Sequence, residues 1–277
     1  MYEKIVVSII QHPCIEGKKE ENLHAACGLL DEAGKRGTDV ALLPELFTTE
    51  YFPIKRDVKY FAYAETIPGP TTAAVAGVAA RHRMYVLAPL FEKRQSGVYY
   101  NAAALIGRNG ELVGIYRKTH IPAIKSIEKY YFRPGGELPV FDTDFGKVGI
   151  AICQDRIFPE PFRVLALKGA RIFFVANAAG DYAGIKEMWR PIQQARAYEN
   201  SSFYISSNRV GQEGDVVFFG QSMVINPHGE ILKEAGDKEE VLTGEIDLDQ
   251  VEGARLNIHV FRDLRPELYR TITEWQG

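Results

Sequence analysis

The stretch "GIAICQDRIFPE" at 149–160 carries an apolar run to a cysteine, Cys153, and turns polar immediately after it. A thiol with an ordinary pKa of about 8.5 is a poor nucleophile near neutrality unless a neighbour removes its proton or a positive charge favours the thiolate. Two other apolar runs end on groups of those kinds. "LLPELF" sets Glu45 just past a strand-like segment and a proline, and "GIYRKTHIP" sets Lys118 at the end of a hairpin arm. A carboxylate can take the thiol proton as a general base. An ammonium can hold the oxyanion that forms when sulfur attacks a carbonyl carbon. Singly, each residue has a bland reading. Glu45 could cap a helix or pair on the surface, Lys118 could be a solvated charge beside Arg117, and Cys153 could be a packed thiol, the usual fate of cysteine. Together they supply a base, a cation and a nucleophile, the parts of an acyl-transfer site.

Rival chemistries lack their residues. No G-x-S-x-G occurs, and the nearest serine context, "FGQSMVI", lacks the elbow glycine after Ser222. There is no G-x-G-x-x-G and no P-loop. The histidines, His12, His24, His82, His120, His228 and His259, fall into no HExxH or Cys/His spacing that would hold zinc. Only His120, close to Lys118 in sequence, has a context of interest. Cys14, Cys27 and Cys153 form no C-x-x-C pair, and an odd count suits free thiols in a reducing compartment. Cys27 reads as a small core residue in a helical pattern, and Cys14 as a loop residue.

The hydrophobic patterning indicates what must hold the three side chains. Strand-like and helix-like runs alternate: strand 4–10, helix 18–36 closed by Gly37, strand 39–45, helix 70–82, strand 84–92. Residues 99–118 form two alternating runs joined by Asn109-Gly110, a strong hairpin signal. Strand 147–153, helix 159–169, strand 170–177 and helix 185–199 follow. A second hairpin is expected over 218–236 around Pro227-His228-Gly229, then a strand over 240–248. This predicts an α/β protein of layered sheets covered by helices, one domain over 1–277 with two similar halves packed face to face.

Composition sets outer limits. With 277 residues, 46% hydrophobic and 25% charged, the chain can build a large core without metal or disulfide. Its net charge of −3 argues against a nucleic-acid or anionic-membrane partner. No run approaches the roughly 18 apolar residues of a membrane span. "MYEKIVVSIIQHP" lacks a signal peptide's features, so a cytoplasmic location is expected.

The order of Glu in "LLPELF", Lys in "YRKTHIP" and Cys in "ICQDRIFPE" resembles the carbon–nitrogen hydrolase (nitrilase) superfamily with its Glu-Lys-Cys set. The blocks "IEKYYFRPGGELPVFDTDFGKVGIAIC", "LALKGARIFFVAN", "QARAYENSSFYISSNRVG" and "FFGQSMVINPHGEIL" extend the likeness over nearly the whole chain. The resemblance implies a four-layer α-β-β-α sandwich that pairs into dimers or larger homo-oligomers. It implies Glu45 as base, Lys118 as oxyanion stabiliser, and Cys153 as the nucleophile of a covalent intermediate that water cleaves. It further implies that Glu128, in "SIEKYYFRPG", orients Lys118 or the attacking water. The backbone N–H of Gln154 would complete the oxyanion hole, and the resemblance implies no metal and no organic cofactor.

Gln154-Asp155 after the cysteine, in place of the Trp-Glu typical of nitrile-cleaving members, favours small amide or ureido substrates. The cysteine segment resembles the N-carbamoyl amino acid hydrolases and ureidopropionase-like members. "VFRDLRPELY" at 260–269 instead resembles the N-carbamoylputrescine amidase group, whose substrate is cationic. An N-carbamoyl amine or amino acid is the expected substrate, with simple ω-amides the alternative and a catalytically silent scaffold a remote one. Arg156 could grip a substrate carboxylate in bidentate fashion, or pair with Asp155 or Glu160. A cationic substrate would need an acid, for which Asp181 and Glu187 are candidates. Asn177 could offer its amide to substrate or cap a turn. Tyr51, Phe52, Tyr130 and Tyr131 are candidate pocket walls. The tail 255–277, with Trp275 and clustered arginines, is expected to dock on a neighbouring subunit.

Overall fold

In the computed structural model, which describes residues 4–123 and 125–275, the strands sort their side chains with a period of two into three packed layers. Strand β1 (Lys4–Gln11) turns Ile5, Val7 and Ile9 to one face and Ile10 to the other. Strand β7 (Gly146–Ile152) divides Val148, Ile150 and Ile152 from Ala151 in the same way. Strands apolar on both faces need cover on both.

Two six-stranded sheets result. The first has the order β14 (Glu240–Asp247), β1, β2 (Val40–Leu42), β3 (Tyr85–Gln95), β4 (Val98–Ile106), β5 (Leu112–Arg117). The second has the order β13 (Ile231–Glu234), β12 (Met223–Ile225), β9 (Phe203–Ser207), β8 (Ile172–Ala176), β7, β6 (Val140–Thr143). Each centre is three parallel strands, extended on one side by an antiparallel hairpin and closed on the other by an antiparallel strand. The two halves expected from the sequence are thus two sheets of one design.

The inner faces of both sheets share one core. Helices α1 (Lys19–Lys35) and α2 (Pro70–His82) cover the first sheet through Ala26, Leu30, Val75 and Ala79. Beyond the short α3 (Glu128–Tyr131), helices α4 (Pro159–Leu167) and α5 (Trp189–Tyr198) cover the second through Phe162, Leu165, Trp189 and Ala197. The layers run α-β-β-α, as expected. The chain ends in α6 (Asp249–Ile258) and α7 (Arg270–Glu274). Gln276 and Gly277 of the expected arm lie outside the described residues.

Several boundaries differ from the sequence reading for local reasons. Strand β2 stops at Leu42, short of Pro44, which has no N–H for a ladder. Strand β7 stops at Ile152 because Cys153 takes a left-handed backbone, φ 47°, and opens a 3₁₀ turn through Ile157. Helix α5 starts at Trp189, after Ala183 and Gly184 at positive φ. Phe218 and Phe219 belong to a separate ribbon of β10 (Val210–Glu213) and β11 (Val216–Phe219), so the second hairpin begins at Met223. Cys27 is only half-buried, whereas Cys14 is buried with its Sγ 3.1 Å from the Phe47 carbonyl oxygen. Among the described residues no helix is long and apolar enough to cross a membrane.

Candidate active site

The three strand ends converge. The first sheet supplies Glu45, just beyond β2, and Lys118, immediately after β5; the second supplies Cys153, immediately after β7. Lys118 and Glu45 are fully buried, which rules out the solvated-charge and surface-pair readings. Lys118 Nζ donates to Glu45 Oε1 at 2.8 Å and to Glu128 Oε2 at 2.8 Å. Glu45 Oε1 also accepts from Asn101 Nδ2 at 2.7 Å, and Glu45 Oε2 accepts from the Ala178 N–H at 2.9 Å. Burial strips a carboxylate of hydration worth several kcal/mol, so it is tolerated only where each oxygen is satisfied in this way. Glu128, at the start of α3, accepts a further bond from the Tyr51 hydroxyl at 2.5 Å.

Two carboxylates around one ammonium leave the cluster an acid in excess. Burial, the largest cause, pushes the Glu128 carboxyl up to about 7; Lys118 opposes this and Glu45 adds to it. Burial also works against charge on Lys118, but Glu128 and Glu45 outweigh it and its pKa is raised, so it stays an ammonium. The Cys153 thiol is pushed up to about 12, first by burial and then by the charge of Glu45, against Lys118 and Arg156. The resting group is therefore a thiol, and attack through sulfur requires proton transfer to a base in the same step.

Cys153 opens onto a cavity of about 220 Å³ whose wall includes Tyr51, Ser126, Gln154, Arg156 and Tyr182. That is below the roughly 300–1,000 Å³ of drug-sized sites and suits a small ligand. Arg156 is 3% exposed; its Nη1 donates to the Cys153 carbonyl at 2.9 Å and lies 3.5 Å from Cys153 Sγ. Its guanidinium lies over the Trp189 ring, 5.1 Å from the centroid. The expected alternative pairing does not occur: Asp155 is engaged by Tyr116, Thr119, His120 and Ile152, and no ion pair joins Arg156 to Glu160. Asp181 pairs with Lys186 at 3.4 Å, and neither it nor Glu187 belongs to the cavity wall.

Other expected substrate contacts lie elsewhere. His120 Nδ1 sits 2.8 Å from Asp155 Oδ1, and its ring stacks on Phe158 at 4.0 Å, facing a neighbouring cleft. Asn177 spends its Nδ2 on Val175 O, Ser206 Oγ and Ser207 O, tying β8 to β9 rather than reaching the cavity. Phe52, Tyr130 and Tyr131 form an aromatic cluster behind Tyr51 and do not wall the cavity. Conversely, Ser126 and Tyr182 were missed; Ser126 Oγ is buried with no hydrogen-bond partner among the described residues. Arg209 was missed too. Fully buried, it donates through Nη2 to Glu45 O at 3.0 Å and Leu46 O at 2.9 Å. Its signal was an arginine inside the strand-like run "FYISSNRVG".

Known proteins share this arrangement of chain. Residues 6–256 match the family model described as carbon-nitrogen hydrolase. The chain is 36% identical to the N-carbamoylputrescine amidase of Arabidopsis thaliana, covering 99% of this chain and 97% of that protein. It is 34% identical to the citrullinase of Francisella tularensis subsp. tularensis, covering 97% and 98%. A crystal structure of a carbon-nitrogen hydrolase from Helicobacter pylori G27 is similar with a TM-score of 0.94 at 33% identity, covering 99% of this chain and 100% of that one.

Proposed function

This chain belongs to the carbon–nitrogen hydrolase family, and from that premise we propose that it hydrolyses the C–N bond of a small N-carbamoyl amino acid or related ureido compound through a covalent bond to Cys153. The observation that carries the reading is the buried Lys118 ammonium clasped by Glu45 and Glu128 at the strand ends that meet Cys153. Sγ attacks the carbonyl carbon as its proton passes to Glu45, and Lys118 with the Gln154 N–H receives the oxyanion. The oxyanion collapses, the C–N bond breaks, and the nitrogen leaves with the proton that Glu45 held. Water then attacks the thiocarbamate carbon, giving a proton to Glu45. The C–S bond breaks, the thiol takes that proton back, and the released carbamic acid loses carbon dioxide to free the second nitrogen, so that one of the two nitrogens leaves as ammonia. Glu128 keeps Lys118 and Tyr51 in place throughout.

Arg156 favours a carboxylate-bearing substrate over a cationic one. It is a cation on the cavity wall, it has no acid partner among the described contacts, and Asp181 and Glu187, the acids expected for a cationic substrate, are not part of that wall. A guanidinium matches a carboxylate with two parallel hydrogen bonds. Ammonia release should be measured on N-carbamoyl-β-alanine, N-carbamoyl α-amino acids of both hands, N-carbamoylputrescine and plain amides, with Cys153→Ala as the blank. Turnover led by the carboxylate-bearing ureido compounds supports the reading. Preference for N-carbamoylputrescine would make Arg156 structural, and turnover of plain amides alone would keep the mechanism and change the substrate.

The exposed apolar side chains Leu268, Tyr269, Ile272 and Trp275 support the tail as an arm that docks on a second copy of the chain. Three free cysteines fit a reducing, cytoplasmic setting.

A further inference from the structure

We propose that Asp155 is the positioning residue that fixes the nucleophile against the oxyanion-binding lysine. Its carboxylate is fully buried and accepts hydrogen bonds from both halves of the molecule. Oδ1 accepts from Thr119 Oγ1 at 2.9 Å, His120 N at 2.9 Å and His120 Nδ1 at 2.8 Å. Oδ2 accepts from the Tyr116 hydroxyl at 2.6 Å and from the Ile152 N–H at 2.9 Å. Tyr116, Thr119 and His120 bracket Lys118 on the first sheet, and Ile152 immediately precedes Cys153 on the second. One carboxylate therefore ties the residues on either side of the cation to the residue before the thiol.

That tie does what the core between the sheets cannot. Apolar contact between the inner faces is non-directional and fixes the spacing of the sheets more firmly than their lateral alignment. Charge-assisted hydrogen bonds are directional and about twice as strong as neutral ones. Cys153 also needs holding. A non-glycine residue at φ 47° carries a backbone strain that its surroundings must impose. The Ile152–Asp155 bond and the Arg156 bond to the Cys153 carbonyl together close that turn. Burial works against charge on Asp155, but the bonds from His120, Tyr116 and Ile152 outweigh it and keep the carboxyl below its usual range. Asp155 does not belong to the cavity wall and acts only through its neighbours. The assignment extends the proposed function rather than repeating it, because it concerns a residue outside the cluster that touches substrate.

The isosteric change Asp155→Asn keeps one acceptor oxygen but turns an NH₂ toward a backbone N–H, that of His120 or of Ile152, which cannot accept. On the best substrate of the panel, kcat should fall about a hundredfold, as for a misplacement of the reacting group by an ångström, while KM moves little. Alkylation of Cys153 by iodoacetamide, which needs no substrate, should slow in parallel. Tyr116→Phe removes one donor and leaves the carboxylate; it should lower kcat less, at unchanged KM, and serves as the test if the Asn variant does not fold. Parental kcat and alkylation rate per folded molecule in Asp155→Asn, whatever its Tm, would overturn the proposal. So would a defect confined to KM, or parental kcat in Tyr116→Phe when that is the variant available.

Discussion

A thiol pushed up to about 12 stands where a nucleophile is proposed. The two facts agree once the base is counted. A preformed thiolate would be a buried charge beside the charge of Glu45, whereas a thiol that yields its proton during attack keeps the resting site at lower cost. Cys153→Ala should therefore abolish ammonia release while the urea midpoint stays near that of the parent, since losing one sulfur leaves only a small void. Glu45→Gln should silence turnover as fully, because groups that act as a unit fail together. Glu128 gives a pH test with a definite sign. Its carboxyl is raised from 4.5 to about 7 in the fold, so its proton stabilises the native state fully below about 4.5 and that contribution is lost as pH rises through about 7. The stability of Glu128→Gln relative to the parent, measured by urea denaturation, should thus rise between those two pH values. A relative fall would mean that the bonds from Lys118 and Tyr51 outweigh burial.

Turns between strand and loop carry the chemistry. Leu46, next to the base, has φ 51°, and Cys153 has φ 47°, left-handed conformations that bulky side chains rarely adopt. Each kink is clamped, the second by Asp155 and Arg156, the first by Arg209 through the carbonyls of Glu45 and Leu46. Arg209 is in turn paired with Glu213 of β10 at 2.5 Å, so the β10–β11 ribbon reaches the base through one guanidinium. Arg209→Ala should cost about 3–5 kcal/mol in urea denaturation, the usual loss when one partner of a buried pair is removed, and should lower kcat by freeing the Glu45 turn. These clamps also mark the limit of what was legible. Strand-end Glu45, Lys118 and Cys153 could be read because an apolar run stopping on a reactive group is a local signal. Tyr116, Thr119 and His120 lie 35–39 positions from Asp155, so a carboxylate that joins two sheets looked like a neighbour for Arg156. Asn177 and His120 were hard to place for the same reason: their partners, Ser206 on β9 and Asp155 in the turn after β7, come from distant segments.

For the molecule as a whole, alternation of strands and helices was legible because burial on both faces leaves continuous apolar runs, whereas strand order was not, since parallel neighbours come from distant segments. The tail extends the question beyond one chain. Its beginning is held by its own body: Phe261 packs on the core under α4 and α5, with the guanidinium of Arg255 4.9 Å from its ring centroid. Beyond it, Leu268 is 64% exposed and Trp275 76%. A short segment that displays large apolar side chains gains nothing from them in isolation, since exposed hydrophobes gathered in one place mark a contact surface. Ending the chain after Arg262 removes that surface and leaves the Phe261 anchor and the whole cavity intact. The parent should then sediment as an oligomer of the 31.1 kDa chain, and the shortened protein as a smaller species with the catalytic cluster preserved. Equal solution masses for the two would show that the arm does not join subunits. Loss of turnover together with the loss of mass would place part of the working cavity's support in the neighbouring copy.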